Sequence, residues 1–177
     1  MNLLNTGAGK LIMKSRATSF NDNSTSGDSN QTTGLSIYNA SSGRIEATLI
    51  NSSLNNNKAT GDNAPIAAGL YASNQGSGLV LIKVSNSQFN ANFASNQAFG
   101  YEAINFGSGT LSFTADQAQF NNNSAGFLSA GIGGGNYSSG SLTISTYQSL
   151  FIPGWGTNSH RVFTYDGGTG PINVSIR

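Results

Sequence analysis

Gly78-Leu79-Val80-Leu81-Ile82-Lys83-Val84, running on to Phe89-Asn90-Ala91-Asn92, is one copy of a pattern that the chain uses five times and begins a sixth. A glycine opens each copy and alternating apolar residues follow. Eleven positions after the glycine stands a large apolar residue, and three later an asparagine. The equivalent glycines are Gly9, Gly43, Gly78, Gly109, Gly140 and Gly170, which gives spacings of 34, 35, 31, 31 and 30 residues.

Aligned on those glycines, the second position holds Leu11, Ile45, Val80, Leu111, Leu142 and Ile172. The fourth holds Met13, Ala47, Ile82, Phe113, Ile144 and Val174. The sixth is looser: Ser15, Leu49, Val84, Ala115, Thr146 and Ile176. Offsets of two are strand periodicity, because alternate side chains of a strand share a face. The fifth position, which should face outward, is polar: Lys14, Thr48, Lys83, Thr114 and Ser145. A second short strand is expected upstream of each glycine. Its apolar positions are Leu35, Leu70, Tyr101, Ile132 and Val162, then Ile37, Ala72, Ala103, Gly134 and Thr164. No segment keeps a helical period over three turns.

A repeat of this length with two or three short strands predicts an all-β fold. The expected form is one right-handed parallel β-helix of about five coils, spanning residues 1–177 as a single domain. The right hand follows the base rate for such folds and is not read from residues. Coils stack about 4.8 Å apart, so each column becomes a ladder. Phe20, Leu54, Phe89, Phe120 and Phe151 form an internal stack. Asn23, Asn57, Asn92 and Asn123 form a corner ladder, where asparagine tolerates left-handed backbone and bonds the coils on either side. A looser amide column reads Asn51, Asn86, Gln117 and Gln148.

The composition agrees with a folded chain and narrows its partners. Only 8% of residues are charged, and 26 Ser, 23 Gly and 23 Asn make up 72 of the 177 residues, yet 37% are hydrophobic and regularly placed. The net charge of +1 gives no electrostatic footprint for nucleic acid. There is no cysteine, hence no disulfide or thiolate metal site. Met1-Asn2-Leu3-Leu4 lacks the pattern of a signal peptide, and no stretch approaches a membrane-spanning helix.

Phe20-Asn21-Asp22-Asn23, Phe89-Asn90-Ala91-Asn92 and Phe120-Asn121-Asn122-Asn123, with Leu54-Asn55-Asn56-Asn57 as a variant, resemble the FxxN motif of the chlamydial polymorphic outer membrane proteins. The resemblance covers most of the chain at the level of the repeat. That family's companion motif, GGA followed by an aliphatic residue, is degraded here to Gly34-Leu35, Gly69-Leu70 and Ala130-Gly131-Ile132. The resemblance implies an autotransporter passenger: a right-handed parallel β-helix, adhesin-like, at the outer membrane surface or outside the cell. No translocator barrel or signal peptide accompanies it.

Other β-helices are polysaccharide-cleaving enzymes, which need acids gathered on one face. Here the acids are Asp22, Asp28, Glu46, Asp62, Glu102, Asp116 and Asp166, and those assigned to columns occupy different ones. His160 is the only histidine, so no histidine metal cluster is expected; it is placed in a loop over residues 156–161. Gly131-Ile132-Gly133-Gly134-Gly135 has no following lysine or helix to make a phosphate loop, and a tight turn is expected there. Lys14 and Lys83 share an outward column that would suit an anionic sugar, although solubilising an edge is the simpler role.

The fifth copy breaks the pattern at Phe151-Ile152-Pro153-Gly154-Trp155. Trp155, His160, Phe163, Tyr165 and Asp166 follow closely there, as aromatic and polar groups do in carbohydrate sites, and Trp155, His160, Tyr165 and Asp166 are the candidate ligand-binding residues. An apolar plug finishing the core is the competing and preferred expectation. The sixth copy stops in mid-strand, which suggests a piece of a longer solenoid or ends that stack on another segment.

The leading expectation is a non-enzymatic surface or secreted module that binds glycans or a host surface protein, with no cofactor. A polysaccharide-degrading enzyme or tailspike-like relative, and a structural spacer, are the alternatives.

Overall fold

The structure, a computed structural model, describes residues 1–26, 31–61, 65–156 and 158–177. Its strands, numbered in chain order, wind as a right-handed parallel β-solenoid of about five coils. Each full coil contributes a long strand, then a strand led by the repeat glycine, then two short segments.

The glycine-led strands are β2 (Lys10–Arg16), β5 (Arg44–Ile50), β8 (Leu79–Ser85), β11 (Thr110–Asp116), β15 (Ser141–Tyr147) and β18 (Ile172–Ile176), side by side in one six-stranded sheet. Lys10, Arg44, Leu79, Thr110 and Ser141 lie in one register row, as the glycine spacing predicts. The second six-stranded sheet holds β1 (Asn2–Asn5), β4 (Gln31–Asn39), β7 (Ile66–Asn74), β10 (Gln97–Asn105), β14 (Leu128–Asn136) and β17 (Asn158–Asp166). Apart from β1, with four residues, these upstream strands run nine residues each and are not short.

The extra length comes from a bend. Ala67 and Ala98 join a small cluster with Ala59, Ala94 and Ala125, whereas Leu70 and Tyr101 face the main core. Three residues apart, a straight strand would put these on opposite faces. The chain turns between them at Gly34, Gly69, Gly100 and Gly131. A Cβ at Gly69 would lie 2.5 Å from the Leu54 carbonyl oxygen, so only glycine passes. The strand therefore runs through the bend, with apolar sides on both parts.

The corners are left-handed. Ala17, Asn51, Asn86, Gln117 and Gln148 have φ between 47° and 52°, so the looser amide column is a turn column. A second corner falls at Asp22, Asn56, Ala91 and Asn122, with φ of 54–58°. These residues precede the ladder asparagines, which are not the left-handed ones. The two roles are split between neighbours: one residue turns the backbone, and the next sends its amide inward.

That amide is buried and paired along the stack. Asn23 Nδ2 donates to Asn57 Oδ1 at 2.7 Å, Asn57 Nδ2 to Asn92 Oδ1 at 2.9 Å, and Asn92 Nδ2 to Asn123 Oδ1 at 2.8 Å. A second ladder, four residues before each glycine, was not anticipated. It contains Asn5, Asn39, Asn74, Asn105 and Asn136. Asn39 Nδ2 donates to Asn74 Oδ1 at 2.9 Å, and Asn105 Nδ2 to Asn136 Oδ1 at 3.1 Å. Each of these side chains also donates to the carbonyl of its own repeat glycine, closing the turn between the two large sheets. Both ladders pair buried amides whose isolation in the core would be costly, although in the second ladder Asn39 Oδ1 and Asn105 Oδ1 have no partner.

Between the ladders lies a dry core. Leu54 interrupts the aromatic column, and the stack runs continuously from Phe89 through Phe120 to Phe151, with centroids 4.9 and 5.0 Å apart. Tyr101 lies against Phe113 at 3.9 Å. The short segments close the coil: β12 (Gln119–Asn121) with β16 (Leu150–Ile152), and β3 (Ser24–Thr25), β6 (Lys58–Ala59), β9 (Phe93–Ala94) and β13 (Ser124–Ala125). Five residues separate β3 from β4 and six separate β6 from β7, but only two follow β9 or β13.

Candidate functional site

The outer face of the long-strand sheet carries the most distinctive surface. Its outward columns run Ala68, Phe99, Ala130, His160; then Tyr71, Glu102, Gly133, Phe163; then Ser73, Ile104, Gly135, Tyr165. In β14 the outward positions past the bend are Gly133 and Gly135, so that part of the strand offers no side chains. Neighbouring rings lean into the space. A Cβ at Gly133 would meet the Phe99 ring at 2.6 Å, and one at Gly135 would meet Tyr137 at 2.8 Å. The glycine-rich run is thus a strand flooring a groove, not a tight turn. Its members do separate work, since Gly134 faces inward beneath Ile144.

The groove has a volume of about 250 Å³. Phe99 and Leu128 seal its base, while Phe127, Tyr137 and Tyr165 stand half-exposed at the rim. Phe163 and Ile104 complete the walls. The rim rings are ordered along the solenoid axis: Phe106 stacks on Tyr137 at 5.1 Å, and Tyr137 meets Tyr165 at 5.4 Å.

One carboxyl enters this apolar setting. Glu102 is 6% exposed, lines the groove, and its Oε2 has no hydrogen-bond partner. Burial pushes its pKa from the ordinary 4.5 up to about 8. The phenols facing it respond as well. Tyr71, on β7, is raised first by burial and next by the Glu102 charge. Tyr137 is raised by burial, then by Tyr165 and Glu102. Tyr38, on β4, is one strand further along, its ring 6.1 Å from that of Tyr71.

A folded-state pKa above the unfolded value means that the native state holds the proton more tightly. Glu102 therefore contributes stability in full below about 4.5. That contribution is lost as pH rises through about 8. Urea titrations of the wild type and Glu102→Gln across pH 4 to 9 should differ by a slope approaching roughly 1.4 kcal/mol per pH unit between those limits. Parallel curves would show that Glu102 is solvated in the native state.

The four residues expected near one another are only partly gathered. Trp155 is 65% exposed and tilts against Phe93 at 5.8 Å, over the short-strand side. It neither plugs the core nor reaches the groove; Phe151 supplies the last ring of the stack. His160 lies in strand β17 rather than in a loop, because β14 pairs with residues 158–160 as well. Its ring is 5.5 Å from Phe163. Tyr165 is a rim residue of the groove. Asp166 ends β17 beside Asn136, in the asparagine-ladder row, and accepts from the Gly168 N–H at 3.2 Å.

The remaining charges lie elsewhere. On the outer face of the glycine-led sheet, Glu46 pairs with Lys10 at 3.0 Å and with Arg44. The hydrogen bond from Lys10 is the main reason its pKa is lowered. Lys14 and Lys83 flank Thr48 in the same sheet. Asp116 ends β11 and Asp22 occupies a corner. Asp28 and Asp62 lie outside the described residues. Among the described residues no cluster of His, Cys, Asp and Glu fits a metal ion, and no helix is long and apolar enough to cross a membrane.

Glu102, Phe99 and Tyr137 are absent from the expected site because their columns have no shared chemistry. Two outward glycines, Gly133 and Gly135, each followed on the next coil by an aromatic residue, Phe163 and Tyr165, are the signal that marks them. No protein-family model, curated protein or solved structure matches the chain.

Proposed function

We propose that the chain is a non-enzymatic binding module, secreted or displayed at a cell surface, that takes a glycan in the aromatic groove of its long-strand sheet. The observation carrying this reading is the pairing of half-exposed rings, Tyr137 and Tyr165, with a glycine floor that leaves room beside them. A sugar ring presents apolar C–H faces to such rings and hydroxyls to the rim. The row of rings Phe106, Tyr137 and Tyr165 extends the rim along the axis, as a chain-like ligand requires.

A glycan array followed by titration calorimetry tests it. Tyr137→Ala and Tyr165→Ala, each removing a half-exposed ring, should weaken binding by about tenfold, in line with one aromatic contact of ~1–1.5 kcal/mol. Absence of glycan binding at high micromolar concentration would overturn the reading.

One observation favours a polysaccharide-cleaving alternative. With its pKa at about 8, Glu102 is protonated at neutral pH, as a general acid must be. Among the described residues it is the one carboxyl lining the groove, whereas a paired-carboxyl glycosidase needs two within roughly 5–10 Å. Release of reducing ends from a bound oligosaccharide, abolished in Glu102→Gln, would favour cleavage over binding.

A further inference from the structure

Glu102 is poorly matched to the walls around it. Its Oε2 is buried without a donor, and the nearest column neighbours are Tyr71 below and a bare glycine, Gly133, above. Among the described residues both ion pairs belong to Glu46, on the other large sheet. A buried carboxyl left unpaired in apolar surroundings costs stability, and an apolar residue of similar size would fill the position more cheaply. The groove is open above it. Tyr137, Phe163 and Phe99 line the same groove as Glu102.

Those features have one chemical complement. Aromatic faces attract organic cations through the ring quadrupole, and more strongly where water is excluded. An ammonium brings up to three N–H donors and a positive charge, so it satisfies the carboxyl as both acceptor and anion. A sugar hydroxyl supplies a donor but no charge.

We propose that the groove selects glycans bearing a free amine, with the ammonium of an amino sugar seated on Glu102 inside the ring of Phe99, Tyr137 and Phe163. This inference rests on the glycan reading above and adds the class of sugar. Proton balance is simple. The protonated carboxyl of the empty groove gives its proton to solvent as the ammonium arrives, leaving a carboxylate–ammonium pair. The facing Tyr71 and Tyr137 phenols stay neutral throughout, because burial raises both.

Three β-linked tetramers that differ at one position of each sugar separate the outcomes: glucosamine, N-acetylglucosamine and glucose. In calorimetry on the full chain at neutral pH, the glucosamine tetramer should bind about tenfold or more tightly than either neutral tetramer, the scale of one desolvated cation–π and charge-assisted contact. In Glu102→Gln the ratio should fall to about one. Equal binding of all three by the wild type overturns the amine inference and leaves the glycan reading standing. Failure of all three to bind overturns both. A preference that survives Glu102→Gln overturns the role of Glu102. N-acetylation tests the same contact from the ligand side, so the result holds even if the variant folds poorly.

Discussion

Phe120→Ala should destabilise the solenoid by about 4–5 kcal/mol, measured as a fall in the urea midpoint at constant m-value. Phe120 is fully buried and lies between two rings, Phe89 at 4.9 Å and Phe151 at 5.0 Å, with the edge of Phe113 at 6.3 Å. Removing it opens a cavity that the flanking coils cannot close, because ladder hydrogen bonds fix their separation. It also breaks two stacking contacts of roughly 0.5–1.5 kcal/mol each. Phe20→Ala is the internal comparison. Phe20 is partly exposed and its neighbour in the column is Leu54, so its loss should cost about 1–2 kcal/mol. Equal losses at the two positions would mean that the stack is not a continuous dry column in solution.

Asn92→Ala should cost about 3–4 kcal/mol without opening a large cavity. The Asn92 side-chain oxygen accepts from Asn57 twice, from the backbone N–H at 3.1 Å and from Nδ2 at 2.9 Å. Its own Nδ2 donates to Asn123 Oδ1 at 2.8 Å. All three asparagines are buried. Alanine leaves two donors of Asn57 facing a methyl group, and each orphaned buried group costs roughly 1–3 kcal/mol. Asn23 sits at the exposed start of the same ladder, so Asn23→Ala should cost about 1 kcal/mol or less. Hydrogen exchange at the Asn57 amide gives a local reading, and unchanged protection there in Asn92→Ala would refute the ladder account. Because each coil touches only its neighbours, the two substitutions should also add, apart from their shared coil contacts.

These effects explain how much could be read from residues alone. A position that points into a stack of identical coils meets its own equivalents, so burial forces Ile45, Val80, Leu111 and Leu142 toward one chemistry. Hydrogen bonding forces Asn57, Asn92 and Asn123 toward one residue type. The row Asn39, Asn74, Asn105 and Asn136 was equally regular and equally legible. Outward positions carry no such demand. Tyr71, Glu102, Gly133 and Phe163 share nothing as residues, and they become a site only when register places them in one line. A missing side chain at Gly133 is a void only relative to the rings on either side. His160 read as a loop residue because Gly156-Thr157-Asn158-Ser159 looks like one locally, while its strand character comes from pairing with β14. Trp155 looked like a plug because it is the only tryptophan, yet nothing in its own coil offers it a buried place.

The unequal connections between short and long strands bear on how such a protein could change. Every residue that sets the coil repeat lies in a ladder, a corner or a core column. The segments after β3, β6, β9 and β13 obey no such constraint, and they already vary from six residues to two. One of the short ones, between β13 and β14, delivers Phe127 to the groove rim. Insertions there would reshape the ligand wall at the expense of the local bonds from the Phe127 N–H to the Asn96 carbonyl at 3.1 Å and from the Asn158 N–H to the Phe127 carbonyl at 3.0 Å, while leaving both asparagine ladders in place. A lineage carrying this architecture is thus free to exchange partners by altering loop length, with its framework residues held constant, much as a library varies one loop on a fixed scaffold.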